Sequence, residues 1–272
     1  MEKRRSGKKV GSYITINIKN IDVISFDELN EAINIFAEEL RKIIQNVNKV
    51  LVVGLGNVDT TADSIGPNAI KNIEITRHII KYKPELLDEN EIEVSAISPG
   101  VLGTTGIESQ EIIKAIVDKV KPELIIAIDA LASNDISRLL KTIQLCDTGI
   151  TPGSGVKNRR REISKETMGV DVIAVGVPTV VDASTIVANS FDILMKKYKE
   201  FNFLEGSSFE EKYKLVEMCL EPSNYNLVVM PKDIDDLVDN MEKIISNGIN
   251  LGLKKKNSKP KKEKNNKLKE EN

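Results

Sequence analysis

The stretch 50-VLVVGLGNVDTTADSIGP-67 decides the reading of the fold. Val50, Leu51, Val52 and Val53 form an unbroken apolar run, the pattern of a strand buried on both faces. Gly54-Leu55-Gly56-Asn57 then allows a sharp turn at the strand's carboxyl end. Gly66-Pro67 leads into a helix, with Pro near its first turn. Ligands of open α/β sheets bind outside the carboxyl ends of strands, so Asp63 stands where a working carboxylate is expected. Asp63 also fits a plainer role, as a cap on the helix that begins near Pro67. A dinucleotide fingerprint would need glycine where Asp59 stands, and Asp59 sets a negative charge where a pyrophosphate would approach. No Gly-Lys-Ser/Thr follows, which excludes a P-loop.

Working outward, Leu124 to Ile128 is a second buried strand, with Asp129 at its carboxyl end. Asp171 to Val177 is another, left by Pro178 to Asp182, and Ile143 to Cys146 a shorter one. Glu91 to Ile97 and Asn226 to Met230 read as short strands, and Ser12 to Ile18 alternates as a half-buried edge strand. Ser25 and Glu28 have capping-box spacing ahead of a helix striped by Leu29, Ile33, Phe36 and Leu40. Further helices are expected over Asn68 to Tyr82, Ile107 to Val120, Ser184 to Tyr198, Glu210 to Leu220 and Asp233 to Ser246, with loops around Pro99 to Gly106 and Thr148 to Lys157. Strands alternating with helices predict an α/β fold. We expect a single domain over residues 10–253, with a mostly parallel central sheet flanked by helices. Residues 1–9 read as a flexible N-terminus and 254–272 as a disordered Lys-rich tail.

Composition narrows the function. The 272 residues include six Phe, five Tyr and no Trp, so the core is aliphatic and a base-stacking surface is disfavoured. The net charge is −2, yet the tail holds nine Lys against three Glu, which leaves the body distinctly acidic and poorly suited to nucleic acid. Cys146 and Cys219 form no ligand pattern and suit a reducing cytoplasm. No signal peptide or membrane-spanning run is seen.

Asp63 and Asp129, each after an apolar strand, could share a proton and act as base and acid on a water. A serine triad is disfavoured, because Pro152 replaces the first glycine of a Gly-x-Ser-x-Gly elbow and His78 is the sole histidine. Thr151-Pro152-Gly153-Ser154-Gly155 could instead offer N–H groups to a substrate carbonyl or serve as a structural loop. His78 reads first as a structural helix residue. A metal held by Asp63, Asp129 and His78 is the alternative, although no ligand cluster supports it. Arg159 to Arg161 reads as a solvated run that could also hold an acidic group.

The phrases VGLGNVDTTADSIGP, SPGVLGTTGIES, IAIDALAS, ITPGSGVKNRR and VIAVGVPTVVDAST occur in that order. With GSYITINI before them and MPKDID and SNGIN after, the sequence resembles the germination protease (spore protease) family over residues 10–252. The resemblance implies an atypical aspartic-type endopeptidase, related in fold to hydrogenase-maturation peptidases, that degrades small acid-soluble spore proteins in the cytoplasm of the forespore and germinating spore. It maps the proposed catalytic pair onto Asp63 and Asp129, the pair the strand ends pick out. Gly54, Gly56, Asn57, Gly153, Ser154 and Gly155 are the expected substrate-holding positions. No metal or other cofactor is expected. The family's members are homotetramers made as zymogens. Nine residues precede Val10, without the family's longer N-terminal segment, a departure that leaves zymogen control by the usual propeptide and full activity as open questions. Two further readings stay open: a metal-dependent peptidase using the same site, and a non-catalytic paralogue that binds spore proteins or the full-length protease.

Overall fold

Apolar runs with no polar alternation need two covered faces, and the sheet supplies them. The computed structural model describes residues 9–44, 46–87, 91–153, 161–198, 205–220 and 227–254. Its strands are β1 (Tyr13–Asn17), β2 (Lys49–Gly54), β3 (Glu93–Ile97), β4 (Leu124–Ser133), β5 (Thr142–Cys146), β6 (Asp171–Asp182) and β7 (Val228–Val229). They form one seven-stranded sheet in the order β1-β5-β6-β4-β2-β3, with β7 beside β6. β3, β2, β4 and β6 run parallel. β5, β1 and β7 are antiparallel additions. The fold is a single mixed α/β domain with a parallel centre, and β1 lies at an edge as its alternation predicts. The outermost expected segments, 1–9 and 254–272, fall almost wholly outside the described residues.

The helices are α1 (Phe26–Ile43), α2 (Ile65–Ile70), α3 (Arg77–Tyr82), α4 (Leu102–Thr105), α5 (Ser109–Val120), α6 (Lys165–Met168), α7 (Ala183–Lys197), α8 (Phe209–Leu220) and α9 (Ile234–Leu253). Alternate residues of the central strands enter different cores. Val50, Val52, Ile126 and Ile128 pack with Phe36 and Leu40 of α1 and Ile244 and Ile245 of α9. Leu51, Val53, Ile125 and Ala127 pack with Ile113 and Val117 of α5 and Met168 of α6. The expected capping box starts α1, with Ser25 N–H donating to Glu28 Oε2 at 2.9 Å and Glu28 N–H to Ser25 Oγ at 3.3 Å.

Several expected boundaries differ, each for a tertiary reason. The helix expected over Asn68 to Tyr82 is two, α2 and α3. Thr76 interrupts it: its N–H donates to Val94 O at 3.1 Å, and its Oγ1 accepts from Val94 N–H at 2.8 Å. These bonds tie the segment to the edge strand β3. The expected helix at Asp233 to Ser246 continues to Leu253, because Gly248 is a packing residue rather than a stop: an added Cβ would lie 2.3 Å from the Phe36 ring. α4 forms one turn inside the expected Pro99 to Gly106 loop, and α5 begins at Ser109 rather than Ile107.

β4 does not end before Asp129 as expected; it runs to Ser133, because β6 continues beside it to Asp182. β2 stops at Gly54, opposite Ile128. Asp129 therefore lies mid-strand towards β6 and just past the sheet's end towards β2. That offset opens the crevice in which the candidate site sits.

Candidate active site

Asp129 continues the face of β4 that carries Ile125 and Ala127, one position beyond the apolar core there. It is 4% exposed. Opposite it on β6 is Gly176, where an added Cβ would lie 2.4 Å from Leu131 Cδ1. Asp63 reaches the same place by another route. The chain leaves β2 through Leu55, whose N–H donates to Ile128 O at 2.8 Å, so the turn is fastened to β4 from its first residue. Gly56 follows with φ +114°, a conformation that favours glycine. An added Cβ there would meet Asp63 O at 2.1 Å. The short 3₁₀ turn Thr61–Asp63 closes the loop, and Asp63 N–H donates to Thr60 O at 2.7 Å.

The carboxylate of Asp63 does not cap α2. Its Oδ2 accepts from Asn57 N–H at 2.8 Å, and the N-cap position belongs to Ser64, which makes no side-chain capping bond. Asp63 and Asp129 line one cavity of about 530 Å³. Val101, Leu102, Glu108 and Ser109 cover it from the α4–α5 side, and Thr179 and Val180 of β6 close another wall. Arg138 and Gln144 are also in the lining.

Both carboxyl groups are harder to ionise than an ordinary aspartate. Burial pushes Asp129 well above the usual range, and the negative charge of Asp63 pushes it further, against the Ala130 N–H. Burial also raises Asp63, and there the Asn57 N–H favours the charged form. The larger shift is at Asp129, so Asp129 is the more readily protonated of the two and Asp63 the more readily ionised. A charged group beside a protonated one is the arrangement that base-and-acid work on a single water requires.

The other expected positions separate. Gly56 and Gly153 line the cavity, as do Thr151 and Pro152. Gly54 is buried under α2, where an added Cβ would lie 2.2 Å from Gly66 O, so its role is close packing. The Asn57 N–H is committed to Asp63. Ser154 and Gly155 lie outside the described residues, as do Arg159 and Arg160. Arg161 donates to Glu111 of α5 at 2.9 Å. His78 is on α3 and is not part of the cavity lining. Among the described residues no group of three or more His, Cys, Asp or Glu could hold a metal ion. Cys146 and Cys219 are both free. No described helix is long and apolar enough to cross a membrane.

Two fasteners escaped the sequence reading. Thr179 Oγ1 donates to Ala62 O at 2.6 Å and ties the Asp63 turn to β6. Gly66 lies against the ends of β2 and β4, where an added Cβ would meet Leu55 O at 2.3 Å and Ile128 O at 2.6 Å. Gly66 belongs to the Ser-Ile-Gly-Pro phrase that opens α2, which is the one local signal of a special position there.

A family model described as germination protease matches residues 1–208 and 201–266. The chain belongs to the germination protease family. It is 44% identical over 262 residues to the germination protease of Clostridium acetobutylicum, covering 92% of this chain and 80% of that one. With the germination protease of Caldanaerobacter subterraneus subsp. tengcongensis it shares 47% over 257 residues, covering 91% and 79%. With that of Bacillus subtilis it shares 38% over 294 aligned positions, covering 92% and 80%. Among solved structures it is similar to the NiFe hydrogenase maturation protease HycI from Thermococcus kodakarensis, with a TM-score of 0.33 and 14% identity over 69% of this chain and 99% of that one. Membership of the family makes the chain a peptidase, and an endopeptidase.

Proposed function

We propose that this endopeptidase degrades small acid-soluble spore proteins during germination, in the spore cytoplasm, by a water activated between Asp63 and Asp129. The observation that carries the mechanism is the meeting of two carboxyl groups, from separate elements, in one cavity, with the charge of one felt by the other. Asp63 takes a proton from the water as the water oxygen bonds to the scissile carbonyl carbon. The carbonyl oxygen becomes an oxyanion, and N–H groups at Gly56 and in the Gly153 to Gly155 segment are candidates to hold it. When the C=O bond re-forms, the C–N bond breaks and the leaving nitrogen takes the proton of Asp129. Transfer of the proton from Asp63 to Asp129 restores the starting pair. No metal or other cofactor enters these steps. The substrate reading is supported by family membership, and so is assembly as a homotetramer.

The test is cleavage of a purified small acid-soluble spore protein by wild type, Asp63→Asn and Asp129→Asn, each folded and each with and without a chelator. We expect wild type alone to cut, indifferent to the chelator, and each variant to lose about 10²–10⁴-fold in kcat/KM. Loss of wild-type cleavage on chelation, restored by a divalent ion, would favour a metal at the same site. Complex formation without cleavage by folded wild type would favour a binding paralogue.

A further inference from the structure

α9 packs against both α2 and the Thr61–Asp63 turn without lining the cavity, and one of its acidic side chains is hydrogen-bonded towards that turn. Glu242 is 8% exposed, although it sits on a helix whose other buried side chains are largely apolar. Its Oε1 accepts from Asn68 Nδ2 of α2 at 2.9 Å. The same amide donates to Ser64 Oγ at 3.2 Å, and Ser64 Oγ donates to Thr61 O at 3.0 Å. Ser64 is 3% exposed and directly follows Asp63. The remaining atom of the amide, Asn68 Oδ1, accepts from Lys71 Nζ at 2.7 Å. The Asn68 amide is bonded at both its nitrogen and its oxygen, and the relay ends on the first residue of the turn that carries the carboxylate. A buried acid on an apolar helix is costly unless it is hydrogen-bonded, and the bond that Glu242 accepts from Asn68 leads to the Asp63 turn.

We propose that Glu242 and Asn68 are positioning residues for Asp63, clamping the Thr61–Asp63 turn from the α9 side as Thr179 clamps it from β6. The inference rests on Asp63 being a catalytic carboxylate. Neither residue lines the cavity, so the role assigned to them is positioning rather than catalytic. What they set is the placement of the Asp63 carboxylate against the water and Asp129. Loosening such a support lowers the rate of the chemical step more than it weakens binding.

The experiment compares wild type, Glu242→Leu, Glu242→Gln, Asn68→Ala, the pair Glu242→Leu with Asn68→Ala, and Asp63→Asn. The probe is a purified small acid-soluble spore protein, and each variant's thermal midpoint is recorded. We expect kcat to fall about 10–100-fold in Glu242→Leu and in Asn68→Ala, with KM within about twofold of wild type. Gln keeps an acceptor for the Asn68 amide, so Glu242→Gln should recover most of the lost kcat. The paired variant should be no worse than the worse single, because both break one relay. Should Glu242→Leu fail to fold, Asn68→Ala and Glu242→Gln carry the test. Wild-type kcat in a folded Asn68→Ala, a Gln variant as impaired as Leu, or additive losses would each overturn the proposal. Retained cleavage by Asp63→Asn would instead overturn the catalytic reading beneath it.

Discussion

A carboxyl group buried beside a second carboxylate is easier to keep protonated than to ionise, and Asp129 shows both causes. The folded protein therefore binds the Asp129 proton more tightly than the unfolded chain does. Its contribution to stability is fully present below the unfolded value near 3.8 and is lost as pH rises through the raised folded value. Asp63, raised by burial, acts in the same direction. We expect Asp129→Asn, which cannot ionise, to match or exceed wild type in thermal midpoint at neutral pH while losing cleavage. Its midpoint should also fall less between about pH 4 and neutrality. Thermal unfolding across that range checks this, and a variant less stable than wild type at neutral pH would sink it. Both aspartates are legible in the sequence because each follows an unbroken apolar strand, a local signal. Glu242 is not legible: nothing near it in the chain tells that its partner is Asn68, on another helix.

At the scale of elements, the site depends on how closely the β2–α2 turn approaches the sheet. Gly56 and Gly66 permit that approach, and Gly54 lets α2 lie on the end of β2. Gly56→Ala puts a methyl 2.1 Å from Asp63 O at a φ of +114°, so the Asp63 turn must shift. We expect a loss of about 1–3 kcal/mol in stability and at least a tenfold fall in kcat. Gly103→Ala is the matched control, because nothing lies within 4 Å of its added Cβ. It should leave kcat unchanged and hold or raise the urea midpoint, because Ala suits a helical position better than Gly. Equal effects at the two glycines would refute the close-approach argument. The sequence shows the turn and the helix after it, but not the break between α2 and α3. Thr76 leaves the helix to bond Val94, a contact no propensity at Thr76 reports. The same holds for β4, whose last residues are held by β6 after β2 has ended.

At the scale of the molecule, the parallel centre of the sheet is plain in the sequence, since strands covered on both faces have one composition. The antiparallel placing of β5 and β7 is not, because direction in a sheet is set by long-range pairing that short apolar runs do not encode. The surface carries one more consequence. α7 and α8 pack on each other, joined by Lys212 and Asp192, at 2.5 Å. Both still expose large apolar side chains, with Ile193 66% and Met218 70% accessible. Leu227, Val228, Val229 and Met230, at and around β7, are exposed as well. Apolar area of this kind is stabilised by burial against another surface. A further copy of the chain is the occupant that the proposed homotetramer supplies. On that reading, wild type sediments with the mass of four chains. Ile193→Glu combined with Met218→Glu should shift it to a smaller species, because two carboxylates would have to be desolvated at the contact. Each side chain is already in water in the single chain, so the substitutions should leave secondary structure intact. A four-chain mass kept by the double variant would exclude this surface from the assembly, and a single-chain mass for wild type would exclude the assembly itself.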